Sequence, residues 1–358
     1  MMPRILAVRS ALPDHRLPQA EITRAFASRG RLGPGEWALT ERLHGSAEVD
    51  TRHIVLPVDE CVELYGAEAV NDRYIPEATQ LGERALRLAL DAAGLSPADL
   101  DLLIVTSVTG VAVPSLDARL IPRLGLRPDI RRLPIFGLGC VAGAAALGRL
   151  HDYLLGWPGQ TAALLAVELC SLNWPRSRIT LADMVAAGLF GDGAVALIAS
   201  GGQAGAAPGA KSPAGPRLIA SRSVVYPDTG DVLGWRLSAD GFRIVLTTEL
   251  PAVVERGLAD SVTGFLAEHD LTIDDIASWI CHPGGPKVID SVQRALKLPD
   301  SAVAASRRSL AAVGNMSSAS VLHILEMISD TERPAADSAG LMIGLGPGVS
   351  AELVLLRW

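Results

Sequence analysis

The chain has 358 residues, of which 49% are apolar and 20% charged, with a formal net charge of −7. That length exceeds the roughly 250–300 residues at which one hydrophobic core stops growing, and the composition excludes a disordered or fibrous chain. The acidic balance, without a basic run, argues against nucleic-acid binding, and no stretch reaches the ~18 apolar residues of a membrane span. Cys61, Cys140, Cys170 and Cys281 form no CxxC pair, and no His cluster has zinc spacing. Neither a disulfide framework nor a metal centre is expected, so the thiols read as reduced and the location as cytoplasmic. The first 15 residues lack the apolar core of a signal peptide.

In chain order, residues 80–93 carry apolar side chains at helical spacing and stop at Gly94, after which Ser96 reads as the N-cap of a short turn. Residues 101–107 (DLLIVTS) read as a buried strand, 140–155 as an Ala-rich helix, and 161–167 (TAALLAV) and 194–199 (AVALIA) as further strands. Residues 200–216 (SGGQAGAAPGAKSPAGP) read as a solvent-exposed loop between two halves, 1–205 and 217–358. Beyond it come a strand at 278–281, a helix at 286–296, and strands at 341–345 and 352–357. Alternating strands and helices predict an α/β layered fold.

Three positions carry candidate chemistry. Cys140 lies in Phe136-Gly-Leu-Gly-Cys-Val-Ala-Gly143, with glycines before it and a helix after it. The positive end of a helix favours thiolate and should lower the thiol pKa. A small core Cys is the competing reading, and it is the reading taken for the other three cysteines. His282 ends a short apolar strand and precedes Pro283-Gly-Gly-Pro286, well placed for a site although a lone His there is often structural. Asn315 lies in Gly314-Asn-Met-Ser-Ser-Ala319 ahead of an apolar helical run, where an N-cap cluster is the plainer reading. Together they make a set. A thiol nucleophile needs a base, and a thioester carbonyl needs donors aimed at its developing oxyanion. His and Asn supply both without adding negative charge.

These motifs, in this order, resemble the type III polyketide synthases, relatives of chalcone synthase. Cys281-His-Pro-Gly-Gly-Pro286, Gly314-Asn-Met-Ser-Ser-Ala319, Gly344-Leu-Gly-Pro-Gly348 and Leu189-Phe-Gly-Asp-Gly-Ala194 carry the likeness, which is strongest from Cys140 onward. The resemblance implies a thiolase-like fold, five αβαβα layers from two duplicated halves, and a homodimer. It implies acyl-CoA starter and malonyl-CoA substrates, with coenzyme A thioesters in place of any permanently bound cofactor. Cys140 then matches the acyl-carrying nucleophile, His282 and Asn315 the pair that holds the thioester and the enolate, and Phe190 a gatekeeper. Ile244 stands where a second gate aromatic is usual, and Trp235 where plant enzymes have Gly. Asn173, Val113 and Ser317 match cavity-lining positions, and Gly346, Pro347 and Gly348 a cyclisation-pocket turn. The loop of Gly284, Gly285, Pro286 and Lys287 is expected to meet coenzyme A, with Arg52 holding its phosphates. A single-round ketoacyl synthase III ranks second, and a catalytically inert acyl-CoA-binding subunit third.

Overall fold

Strand β1 (Arg4–Ala11) is followed by a small pair, β2 (His15–Pro18) and β3 (Thr51–Ile54), which flank α1 (Gln19–Gly30) and α2 (Pro34–Gly45). Then come α3 (Val58–Glu63), α4 (Ala67–Ala93), β4 (Leu102–Thr106), α5 (Leu116–Leu124), β5 (Arg131–Ile135), α6 (Ala142–Gly156), β6 (Thr161–Leu169), α7 (Leu181–Leu189) and β7 (Asp192–Ser200). The later elements are β8 (Arg217–Val225), the hairpin β9 (Leu233–Ser238) and β10 (Gly241–Leu246), α8 (Leu250–Ala267), β11 (Ile276–Cys281), α9 (Pro286–Leu296), α10 (Asp300–Val313), α11 (Ser320–Thr331), β12 (Ala339–Gly346) and β13 (Ser350–Arg357). This computed structural model describes residues 2–175, 178–204, 215–239 and 241–358. Residues 205–214 of the expected loop lie outside the described residues.

Nine strands form one sheet in the order β11-β12-β13-β8-β1-β7-β6-β4-β5. Read outward from the β1–β8 seam, β1-β7-β6-β4 and β8-β13-β12-β11 repeat one pattern. The first two pairings are antiparallel and the third parallel on both sides. The seam is thin, with Arg4 opposite Arg217 as its one register pair. Along β6 the side chains alternate: Ala163, Leu165 and Val167 join one buried cluster, Ala162, Leu164 and Ala166 another. β12 and β13 alternate in the same way between two clusters. Period-two alternation with both faces apolar is the mark of a sheet covered on both sides. The first cluster holds α1 and α4, and a second holds α8 and α9. Between them α6 and α11 pack Leu147, Leu150, Leu322 and Leu325 against strands of both halves. The two halves of the sheet, joined at the thin seam, thus lie on either side of α6 and α11, giving the order helix, sheet, helix, sheet, helix: the layered α/β, thiolase-like arrangement.

The helix expected at 80–93 begins earlier, at Ala67, despite Pro76. Its buried stripe, Val70, Tyr74, Ala78, Leu81 and Ala85, runs unbroken past the proline, which lies on the exposed side. Tertiary burial outweighs the single lost backbone bond. Ser96 does stand at the head of a short turn, Pro97–Asp99. Among the described residues no helix is long and apolar enough to cross a membrane.

Candidate active site

Cys140 occupies a single 3-10 turn, Gly139–Val141, that runs directly into α6. A second such turn, Ser317–Ala319, runs into α11, the matching helix of the other half. The two turns face each other, and the Cys140 thiol donates to Ser317 Oγ at 3.5 Å. The fit is close at Gly143, where a Cβ would lie 2.1 Å from the Ser318 carbonyl oxygen. Gly143→Ala should therefore push the turns apart. Urea unfolding is expected to show a loss of about 2–3 kcal/mol, with product formation falling in parallel. At Gly139, where φ is +58°, a Cβ would lie 2.5 Å from Pro347. Thus the turn Gly346, Pro347 and Gly348 abuts the cysteine turn rather than standing apart from it.

Asn315 is built in by its backbone. Its N–H donates to the Leu189 carbonyl at 2.8 Å, and its own carbonyl accepts from Gly191 N–H at 3.0 Å. Its side-chain Oδ1 accepts from Ser317 N–H at 2.8 Å and from the Ser320 hydroxyl at 3.3 Å. With the oxygen taken, the amide NH2 is the group left to donate. His282 follows β11, and its N–H donates to Ile343 of β12 at 2.9 Å. The same strand β12 carries Gly344 and Gly346, which contact Val141. His282 is 2% exposed, and its Nδ1 is buried with no hydrogen-bond partner.

The electrostatics correct one expectation. The helix start was expected to lower the Cys140 pKa, but burial pushes it up to about 12, with the Ser317 contact pulling down and the nearby Glu168 pushing up. Burial likewise lowers His282 to about 4. Either charge alone is disfavoured in this dry setting, whereas thiolate and imidazolium formed together would offset each other.

Phe190 closes α7 and is buried, its backbone bridging to Asn315. Its ring centroid lies 6.1 Å from that of Trp235, tilted by 49°. Trp235 stands opposite Ile244 in the β9–β10 register, so the two share one face of the hairpin. With Asn173, Cys170 and Asp183 these residues line a cleft. Asn173 Nδ2 donates to the Thr109 carbonyl at 2.8 Å, and its Oδ1 accepts from Phe242 N–H at 3.2 Å. The loop of Gly284, Gly285, Pro286 and Lys287 forms the start of α9, with Lys287 exposed.

Two assignments need correction. Arg52 is fully buried and donates to the Phe190 carbonyl at 2.6 Å and to Gln19 Oε1 at 2.8 Å. A guanidinium sealed from solvent cannot meet a coenzyme phosphate; it braces the Phe190 backbone instead. Val113 is 89% exposed and does not line this chain's own cleft. Two residues escaped the sequence reading. Glu168 is fully buried and accepts from Val108 N–H and the Thr109 hydroxyl, both at 3.1 Å, and from the Ser318 hydroxyl. Burial raises it to about 7. Its signal was present, a carboxylate inside an otherwise apolar strand. Cys170, read as packing, lies on the cleft wall, where burial pushes its thiol well above the ordinary value.

Comparison with known proteins agrees with this architecture. Residues 2–203 match the chalcone and stilbene synthases' N-terminal domain and residues 217–358 their C-terminal domain. The 1,3,6,8-tetrahydroxynaphthalene synthase of Streptomyces peucetius subsp. caesius is 52% identical over 355 residues, 99% of this chain and 93% of that one. The enzyme of the same name from Streptomyces coelicolor is 34% identical over 97% of this chain and 90% of its own. A solved structure of a Streptomyces coelicolor tetrahydroxynaphthalene synthase, described as a bacterial type III polyketide synthase, superimposes with a TM-score of 0.91 at 33% identity, covering 99% of both chains. Matched nearly end to end by both domains of one family, the chain belongs to the chalcone and stilbene synthases: it is a type III polyketide synthase, an acyltransferase of thiolase-like fold.

Proposed function

We propose that Cys140 carries the growing acyl chain while His282 and Asn315 hold the malonyl-derived enolate. A starter acyl-CoA loads onto Cys140: the thiol proton passes to His282, the thiolate attacks the thioester carbonyl, and coenzyme A leaves as its thiol, taking the proton back from His282. Malonyl-CoA then loses its carboxylate as carbon dioxide, and the electron pair of the broken bond becomes the enolate. The enolate carbon attacks the Cys140 thioester, the Cys140 thiolate leaves, and the extended chain, now on coenzyme A, transfers back to Cys140 with release of coenzyme A for further rounds before cyclisation. The observation that carries this reading is the meeting of the Cys140 and Asn315 turns through Ser317, with an Asn315 NH2 left to donate. The apolar wall at Phe190 would exclude water and favour loss of a carboxylate.

The tetrahydroxynaphthalene synthases among its relatives favour a product of that type made from malonyl-CoA alone. Each malonyl unit supplies two carbons after decarboxylation, so the ten carbons of a naphthalene skeleton need about five malonyl units, the starter included. The Gly284–Lys287 loop would receive coenzyme A. The outer strand β5, its free edge, and the exposed Leu133, Phe136 and Leu138 beside it support a homodimer. The halves 1–205 and 217–358 would be its two repeated units. Incubation with malonyl-CoA alone and with a panel of acyl-CoA starters, read by mass spectrometry, tests the reading. Absence of product with every starter, alongside unacylated Cys140, would falsify it.

Trp235 tests the cavity. Its ring closes on Phe190, so Trp235→Gly is expected to admit bulkier starters or add extensions. One removed wall group shifts the preference between neighbouring chain lengths by roughly 10-fold or more. An unchanged product spectrum would remove Trp235 as a length limit.

A further inference from the structure

Among the described residues the β9–β10 hairpin joins no larger sheet, yet it carries Trp235, Phe242 and Ile244 of the cleft. A two-stranded hairpin is marginal by itself, so its anchors decide where those side chains stand. At its base Gly348 N–H donates to the Leu233 carbonyl at 3.0 Å, and near its tip Ala67 N–H donates to the Ala239 carbonyl at 2.9 Å. On its flank Arg243 reaches α7. Its Nε donates to Asp183 Oδ1 at 3.2 Å and its Nη2 to Asp183 Oδ2, with a further bond from Nη2 to the Arg178 carbonyl at 2.9 Å. The Asp183 side chain is 3% exposed and that of Arg243 18%.

Asp183 is itself committed to α7. Its Oδ2 accepts from the Thr180 N–H at 2.8 Å and hydroxyl at 2.7 Å, closing the capping box at the head of the helix. That short helix leads directly to Phe190. On the other side Arg243 is the chain neighbour of Ile244, which faces Trp235. The forked pair thus ties the strand that carries the cleft's roof to the helix that carries its gate. Buried ion pairs contribute little net stability compared with an apolar contact, but a two-pronged Arg–carboxylate pair fixes geometry.

We propose that Arg243 and Asp183 are a positioning pair that sets acyl-chain length: the fork holds Trp235 and Ile244 at a fixed height over Phe190. This rests on reading the cleft as the acyl cavity. The test uses purified Arg243→Met and Arg243→Lys variants of the full chain, with hexanoyl-CoA and dodecanoyl-CoA as competing starters beside malonyl-CoA. Arg243→Met leaves the Asp183 cap intact and is expected to raise the dodecanoyl over hexanoyl kcat/KM ratio by about 10-fold, with a broader spread of product lengths. Arg243→Lys keeps the charge without the fork and should show the same shift to a smaller degree. Uniform loss of kcat at an unchanged ratio in a folded variant would mark a merely structural role and overturn the proposal. Should Arg243→Met not fold by circular dichroism, the Lys variant decides on the same ratio. A wild type that makes no product with any starter overturns the polyketide reading, and this proposal with it.

Discussion

Cys140→Ala is expected to abolish polyketide formation, by roughly four orders of magnitude or more, while malonyl-CoA decarboxylation continues within about 10-fold. The two halves of that outcome have separate causes. Carbon–carbon bond formation needs a thioester on the protein, and the other three cysteines cannot supply it. Cys61 packs in the cluster with α1 and α4, Cys281 lies within β11 and Cys170 on the cleft wall, whereas Cys140 meets the Asn315 turn through Ser317. Decarboxylation needs only a donor pair at the developing enolate oxygen. On the proposed reading that pair is His282 and Asn315, whose own hydrogen bonds do not involve the thiol. Asn315 is held by Leu189, Gly191, Ser317 and Ser320, and His282 by Ile343. Mass spectrometry of products and chromatography of released acetyl-CoA read the two activities in one reaction. Polyketide formation within about 100-fold of wild type would displace Cys140 as the carrier. Loss of both activities in a folded variant would mean that the thiol also supports the enolate.

How much of this was legible in the sequence depended on the range of each signal. The helix starts behind Cys140 and Asn315 are local events, written in glycines and short polar residues, and both were readable. The paired turns that bring them together were not, because the close approach of Gly143 to Ser318 is a fact of packing between distant segments. Burial produced the errors. An arginine near an expected coenzyme reads as a phosphate ligand, yet Arg52 is enclosed under Phe190. A cysteine at a helix start reads as a ready thiolate, yet enclosure raises the thiol pKa despite the helix. Val113 matched a cavity position by register alone, and its exposure is a property of the loop's place in the fold. The strand pattern was clear where both faces are apolar, as in β6 and β7. It was silent for β8, β9 and β10, whose faces are only partly buried. The duplication is visible in strand order and not in sequence, because sheet topology constrains only alternation and not residue identity.

His282→Ala is expected to slow alkylation of Cys140 by iodoacetamide at pH 7 by at least about 100-fold, and polyketide formation with it. The reasoning starts from the two displaced pKa values. With the thiol raised to about 12, an isolated Cys140 holds only a trace of thiolate at neutral pH. With the imidazole lowered to about 4, His282 is neutral there and has one ring nitrogen able to accept a proton. On the proposed pairing, passing the thiol proton to it would create two charges that attract each other in a dry site, a state neither member would reach alone. Removing the imidazole leaves the thiol with burial and no acceptor. The sign of the pH dependence follows. A raised thiol pKa means that the thiolate fraction, and hence the alkylation rate of His282→Ala, climbs about tenfold per pH unit through the alkaline range below that pKa. The wild type should depend far less on pH across neutrality, because its proton moves within the site. Asn315→Ala is the companion measurement: it removes a donor to the enolate and leaves the base, so decarboxylation should fall while alkylation of Cys140 stays near the wild-type rate. Equal alkylation rates and equal slopes in wild type and His282→Ala would separate the histidine from the thiol and leave the helix start as the only support for the nucleophile.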